Sequence, residues 1–244
     1  MGQYYHIVNV DKKQIMVPHD FDNGLKLMEW AYSGNWLVLA LLNLLKSEWK
    51  GDRVYVVGDY AETSDKADGG DEVWYDAYDK AFEEIAQDYT REPDDEDYEP
   101  TIYSMTYDDW ERITPEDVEC KSSDVRFIYN HETKQYIDLW HCPIEWIYRA
   151  DQNAVKAASV APLPLLLAMG NGRGGGDYWE GYNNAALVGE WCATSASIDC
   201  EAEPVEAFGD YTEFAPDFTE RRQIVPYTEL DAEILAYLQG SKGL

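Results

Sequence analysis

The stretch Gln3-Tyr-Tyr-His-Ile-Val-Asn-Val10, then Asp11-Lys12-Lys13, then Gln14-Ile-Met-Val17, reads as two β-strands joined by a polar turn. The flanking runs are rich in aromatic and β-branched residues, which fit a pleated, half-buried surface. Pro18 and the polar run to Gly24 close the unit. The pattern returns later in the chain: Ile7-Val-Asn-Val-Asp-Lys-Lys-Gln-Ile15 matches Ile128-Tyr-Asn-His-Glu-Thr-Lys-Gln-Tyr136. Both run apolar, apolar, Asn, variable, acid, variable, Lys, Gln, apolar. Asn9 and Asn130 stand where a strand enters its turn, and a short amide side chain can bond the following backbone there. The echo reads as two hairpins sharing one turn chemistry rather than as a duplicated ligand site.

Outward from the first hairpin, a helical region runs from about Leu25 to Lys50, with a break at Ser33-Gly34. Its apolar stretch, Trp36-Leu-Val-Leu-Ala-Leu-Leu42 and on to Leu45, reads as a central helix buried on most sides and is too short to span a bilayer. Arg53-Val-Tyr-Val-Val57 is a buried strand ending at Gly58. Between Asp71 and Ala86, apolar pairs spaced by four (Val73/Trp74, Ala77/Tyr78, Ala81/Phe82, Ile85/Ala86) define one face of a helix with acids opposite. Thr114-Pro115-Glu116-Asp117 carries a helix-start signature. Strand-like segments follow near Ala186–Thr194 and Glu213–Val225, and Thr228 opens a last helix with the stripe Leu230, Ile234, Leu235 and Leu238. Hairpins mixed with helices that do not alternate with strands predict an α+β fold. The expected architecture is a mixed or antiparallel sheet built from hairpins, with several packed helices. It forms a single globular domain over residues 1–244, with an acidic insertion or flexible loop at about 62–100.

Charge is the strongest compositional signal. The 244 residues carry 48 acidic and 19 basic side chains, a formal net charge of −29. The hydrophobic fraction of 45% is enough for a real core, so the charge does not imply disorder. Direct binding to nucleic acid or to an anionic membrane is disfavoured, because phosphate contacts need Lys and Arg. Three readings of the acidity remain: a surface adapted to high salt, mimicry of a nucleic-acid backbone toward a basic cleft, or an ordinary acidic protein with one acidic loop. A total of 25 Asp against 11 Lys favours the first, and the many large aromatics and four cysteines weigh against it. The densest run, Glu92 to Pro100, reads either as a solvated insertion or as a contact for a basic partner through Asp94, Asp95, Glu96 and Asp97.

The second candidate site is Gly170-Asn171-Gly172-Arg173-Gly174-Gly175-Gly176-Asp177. Its glycines free the backbone to present consecutive N–H groups to a phosphate or carboxylate, and Arg173 adds a bidentate clamp. No Lys-Ser/Thr follows, so it is not a Walker loop, and its spacing is not that of a dinucleotide fingerprint. Asp177 would repel an anion, and the competing reading is a sharply folded loop with Arg173 and Asp177 tied into structure. His6, His19, Asp20, Asp22, His131, His141 and Cys142 lack the spacing of a zinc or EF-hand site, so no metal or other cofactor is expected. No GxSxG elbow or HExxH helix occurs, so no catalytic residue is assigned and the reading leans away from an enzyme. Cys120, Cys142, Cys192 and Cys200 form no CxxC pair and no signal peptide precedes them, which suits reduced, mostly buried thiols in a cytoplasmic protein.

The opening Met1-Gly-Gln-Tyr-Tyr-His-Ile-Val-Asn-Val-Asp-Lys-Lys13 resembles the start of an uncharacterised family found in bacteria, archaea and phages. Gly24-Leu-Lys-Leu-Met-Glu29 and the block Tyr129-Asn-His131 with Lys134-Gln-Tyr136 resemble further parts of it. Its most recognisable stretch is similar to Pro162-Leu-Pro-Leu-Leu-Leu167 with Gly170-Asn-Gly-Arg-Gly-Gly-Gly-Asp-Tyr178. The resemblance spans most of the chain, implies an intracellular protein, leaves a phage origin open and transfers no catalytic residue. The functional expectation is a non-enzymatic acidic binding protein contacting a basic partner in a phage or host-defence setting. The alternatives are a phosphate- or nucleotide-binding protein using Gly170–Asp177, and a salt-adapted cytoplasmic protein of other activity.

Overall fold

The computed structural model describes residues 3–61, 75–90, 100–142, 144–149, 154–170 and 187–214. The first hairpin forms as its sequence predicts: β1 (Tyr5–Asn9) pairs antiparallel with β2 (Gln14–Met16), Asn9 opposite Gln14. Three further strands complete this sheet. β3 (Val54–Gly58) lies antiparallel to β1 on its other side. β4 (Glu111–Arg112) runs parallel to β2, and β9 (Ala168–Met169) runs parallel to β3, giving the order β4-β2-β1-β3-β9.

A second sheet rebuilds four of those five strands from the other half of the chain. β5 (Phe127–Asn130) and β6 (Gln135–Asp138) form the echo hairpin, with Asn130 opposite Gln135. β10 (Ile198–Glu201) lies antiparallel to β5 and β11 (Thr212–Glu213) parallel to β6, in the order β10-β5-β6-β11. The correspondence extends to single hydrogen bonds. Val10 N donates to Arg53 O at 3.0 Å, as His131 N does to Ser197 O at 3.0 Å. Glu111 N donates to Lys13 O and Ile113 N to Ile15 O, as Thr212 N does to Lys134 O and Phe214 N to Tyr136 O. Lys13 and Lys134 both take φ of 53°, and the Asn9 and Asn130 side chains accept turn N–H groups from Lys12 and from Glu132 and Thr133. The chain thus contains two copies of one module, a hairpin flanked by an antiparallel and a parallel strand. A separate hairpin joins β7 (Ile144–Arg149) and β8 (Ala154–Ser159).

The helices fill the space beside the sheets. α1 (Leu27–Trp30) and α2 (Trp36–Lys46) are separated at Gly34, whose φ of +81° suits glycine. Asn35 caps α2 by accepting from Leu37 N at 2.9 Å. Leu37, Leu41 and Leu45 of α2 are fully buried, each contributing on the order of 2 kcal/mol of transfer free energy. They belong to a core shared by Tyr5, Ile7 and Val56 of the first sheet, Ile128, Ile137 and Ile198 of the second, and Leu163 and Leu165 of α5 (Pro162–Leu166). Alternate residues Val8, Ile15 and Val57 face the opposite side of the first sheet. There they pack under α3 (Tyr75–Asp88) and α4 (Ile102–Asp109). α3 is the helix expected within the acidic interval, with Ala77, Tyr78, Ala81 and Ile85 inward; 62–74 and 91–99 lie outside the described residues. The architecture is α+β, with mixed sheets. Among the described residues no helix is long and apolar enough to cross a membrane.

Two expected elements take another form. Thr114 and Asp117 do bond as a helix start requires, Thr114 N and Oγ1 both donating to Asp117 Oδ2, but only one turn forms. No 3.6-residue apolar stripe follows to propagate it, and propagation needs a face to bury. The strand expected near Ala186–Thr194 is instead a run of turns leading into a 3₁₀ segment at Cys192–Ser197. Gly189 N and Trp191 N donate to Leu165 O and Leu166 O, so this backbone completes the end of α5 instead of a ladder. β11 is the described part of the Glu213–Val225 expectation, and the helix expected from Thr228 lies outside the described residues.

Candidate functional site

The carboxyl ends of β3 and β9 lie side by side, because these two strands are parallel, with Val57 opposite Met169. β3 ends in Gly58, and Gly170 directly follows β9. Between them sits the side chain of Gln3, buried to 1% exposure, whose Oε1 accepts from Tyr5 Oη at 2.6 Å. A Cβ on Gly58 would lie 2.5 Å from Gln3 Nε2. One on Gly170 would lie 2.8 Å from the same amide and 2.9 Å from Tyr5 Oη. A side chain at either position would therefore displace the Gln3 amide, and φ of +154° at Gly170 adds a backbone reason for glycine there. Gly170 opens the glycine-rich segment, so that segment leaves from a fixed polar floor. Asn171, Gly172, Arg173, Gly174, Gly175, Gly176 and Asp177 themselves lie outside the described residues, as do Asp94, Asp95, Glu96 and Asp97.

Asp59 follows Gly58. It accepts from Tyr4 N at 2.9 Å, and burial pushes its carboxyl above the usual aspartate range. One residue along β1 from Tyr5, His6 points into the layer under α4, fully buried. His6 Nε2 meets Thr106 Oγ1 at 2.9 Å, and that hydroxyl donates to Ile102 O at 2.8 Å. The hydroxyl proton is thus used, which makes Nε2–H the donor and leaves Nδ1 a buried lone pair without a partner among the described residues. The ring lies 4.2 Å from that of Tyr103. Burial, and secondarily the charge of Arg112, lower its pKa to about 3, so His6 is neutral at physiological pH.

Three of the other histidine and aspartate candidates are tied into structure. His131 contacts Asp199 at 2.9 Å and Tyr211 Oη at 3.0 Å, and His141 contacts Glu213 at 2.6 Å. Asp20 pairs with Arg112. Among the described residues no group of three His, Cys, Asp or Glu side chains converges as a metal site. All four cysteines are buried outside disulfides. Burial raises the thiol of Cys192 to about 12 and moves those of Cys120 and Cys200 upward too, which suppresses thiolate chemistry.

The echo turns do more than pair strands. Gln14 Oε1 accepts from the buried indole of Trp49 at 2.9 Å, and Gln135 Oε1 accepts from that of Trp191 at 3.2 Å. Each module therefore fastens a core tryptophan to the first residue of its second hairpin strand. The signal was present in the shared Lys-Gln pair, but its tryptophan partners lie 35 and 56 residues away. Comparison with protein-family models, with curated proteins and with solved structures finds no match to this chain.

Proposed function

We propose that this is a non-enzymatic binding protein whose acidic surface contacts a basic partner. The observation that carries the reading is how the positive charge is used. Lys12, Lys13, Lys46 and Lys50 each pair with a carboxylate. Arg53 bridges Asp11 and Glu84, Arg126 holds Asp138, and Lys134 holds Asp210. With these cations engaged and a formal net charge of −29, the chain carries far more carboxylates than its cations can neutralise. Such a field attracts and orients a cationic surface, with a strong dependence on ionic strength. Asp94, Asp95, Glu96 and Asp97 are the densest local source of it. In a pull-down at about 0.15 M salt, a basic protein should be retained and released as salt rises. Neutralising these four as Asn and Gln should weaken retention about tenfold. Failure to recover any basic protein, or equal retention by the neutralised variant, overturns the reading.

A second reading draws on the floor beneath Gly170. Ligands of sheets with parallel strands bind outside the strands' carboxyl ends, which is where the glycine-rich segment departs. On this reading Gly170–Asp177 wraps a phosphate or nucleotide, with Arg173 as clamp. A nucleotide panel should then raise the melting temperature, and Arg173→Ala should abolish the rise. No shift with any nucleotide removes this reading and leaves the first untouched.

A further inference from the structure

The two modules differ at three matching positions. Their strand registers align Val10 with His131 and Tyr55 with Asp199. They also align Trp110 with Tyr211, each the residue before the parallel strand. In the first module Val10, Tyr55 and Trp110 join the hydrophobic cluster under α3 and α4. In the second, the same places hold a histidine, an acid and a phenol, bonded in series. Asp199 Oδ2 lies 2.9 Å from His131 Nε2, and His131 Nδ1 lies 3.0 Å from Tyr211 Oη. The first module folds with packed apolar groups at these positions, so the fold itself does not call for the polar series.

The direction of the bonds follows from the groups. The Asp199 carboxylate accepts, so Nε2 carries the ring proton, and the neutral ring presents its Nδ1 lone pair to the Tyr211 hydroxyl. Lys50 Nζ, 3.1 Å away, holds the same Asp199 oxygen. Together they make a hydroxyl nucleophile, a base placed to receive its proton and a carboxylate that orients the base. Unlike His6, this histidine can be reached from solvent, its side chain being 30% exposed. The Phe208 ring lies 4.7 Å from that of His131 and 5.1 Å from that of Tyr211, which gives the group an apolar side. The exposed carboxylates Glu132, next to His131, and Glu206, in the same turn as Phe208, disfavour an anionic reagent.

We propose that Tyr211 is an acyl-acceptor site for an uncharged activated ester, with His131 as its base and Asp199 as the residue that positions His131. Tyr211 Oη attacks the ester carbonyl carbon, and its proton passes to His131 Nδ1. The bond to the leaving oxygen then breaks, that oxygen takes the proton from Nδ1, and the acyl group stays on Tyr211. The transfer happens once per chain and involves neither the acidic run nor the glycine-rich segment, so it stands or falls apart from both readings above. The test incubates the full chain with p-nitrophenyl acetate, following nitrophenol release by absorbance and the modified residues by peptide mass spectrometry. Tyr4 and Tyr60, 44% and 43% exposed, are internal controls. Tyr211 should be acetylated about a hundredfold faster than either. His131→Gln should remove that advantage and Asp199→Asn most of it, with labelling of Tyr4 and Tyr60 and the circular dichroism spectrum unchanged. Tyr211→Phe should abolish the fast release, and acetyl phosphate, an anion, should show no preference for Tyr211. Labelling of Tyr211 at the rate of the two exposed tyrosines overturns the proposal. So does fast release that survives either His131→Gln or Tyr211→Phe. Acetyl phosphate labelling Tyr211 as fast as the uncharged ester overturns the assigned donor class.

Discussion

Trp191→Ala is expected to lower the free energy of unfolding by about 3–5 kcal/mol. Trp191 is 1% exposed, its ring lies 5.5 Å from that of Phe214, and its N–H is taken by Gln135. Truncation removes the largest side chain of the second module's core and opens a cavity between α5, β6 and Phe214, which follows β11. It also leaves the Gln135 carbonyl without its indole donor. The duplicated architecture makes the same demand of Trp49, fully buried and bonded to Gln14, so Trp49→Ala should fall in the same range. Urea unfolding followed by far-ultraviolet circular dichroism measures both without relying on the residue removed. A loss under about 1.5 kcal/mol in either variant would show that the tryptophan–glutamine pair is incidental to that module.

Acid should destabilise the protein through His6 before it reaches most carboxylates. The unfolded chain carries this histidine at its ordinary pKa of 6.5, and the folded chain at about 3. Above 6.5 both states are neutral there, and the buried neutral ring is at its most favourable. As pH falls below 6.5 the unfolded state takes up a proton that the folded state refuses, so stability drops by about 1.4 kcal/mol per pH unit. The loss ends near pH 3, where the folded ring is protonated in turn. Between pH 6.5 and 4.5 the contribution amounts to about 3 kcal/mol, an order-of-magnitude figure. Urea midpoints of the wild type and of His6→Gln, measured across that range, isolate it. The variant should show a shallower decline, and parallel pH profiles would remove His6 as the cause.

Much of the fold was legible because it is local. The hairpin at Tyr5–Met16 and its echo at Phe127–Asp138 could be read from alternation and turn residues, since a hairpin is decided within about a dozen positions. α2 and α3 could be read from their apolar spacing, for the same reason. The misreadings came where local chemistry met a distant partner. Thr114 and Asp117 make their helix-start bonds and then stop, because nothing beyond them offers a face to bury. Residues 187–194 have strand-like composition, yet the N–H groups of Gly189 and Trp191 go to the end of α5 and those of Glu190, Cys192 and Thr194 close turns within the stretch. The candidate loop was legible as glycines. That Gly58 shares its floor was not, because their common neighbour is Gln3, brought to both by strand pairing.

By itself the amino-acid sequence determined the α+β class, the two hairpins with their Asn-initiated turns, the central buried helix and the preponderance of carboxylates. These depend on periodicity, turn preference and charge, which act over a few neighbours or over the whole composition. Tertiary structure alone decided that the hairpins seed two matching modules, that Trp49 and Trp191 are fastened within them, and that His6 is sealed beneath α4. Each of these rests on contacts between residues tens of positions apart. Short-range preference carries no information about such pairs, and they form only when burial of the shared core brings the segments together.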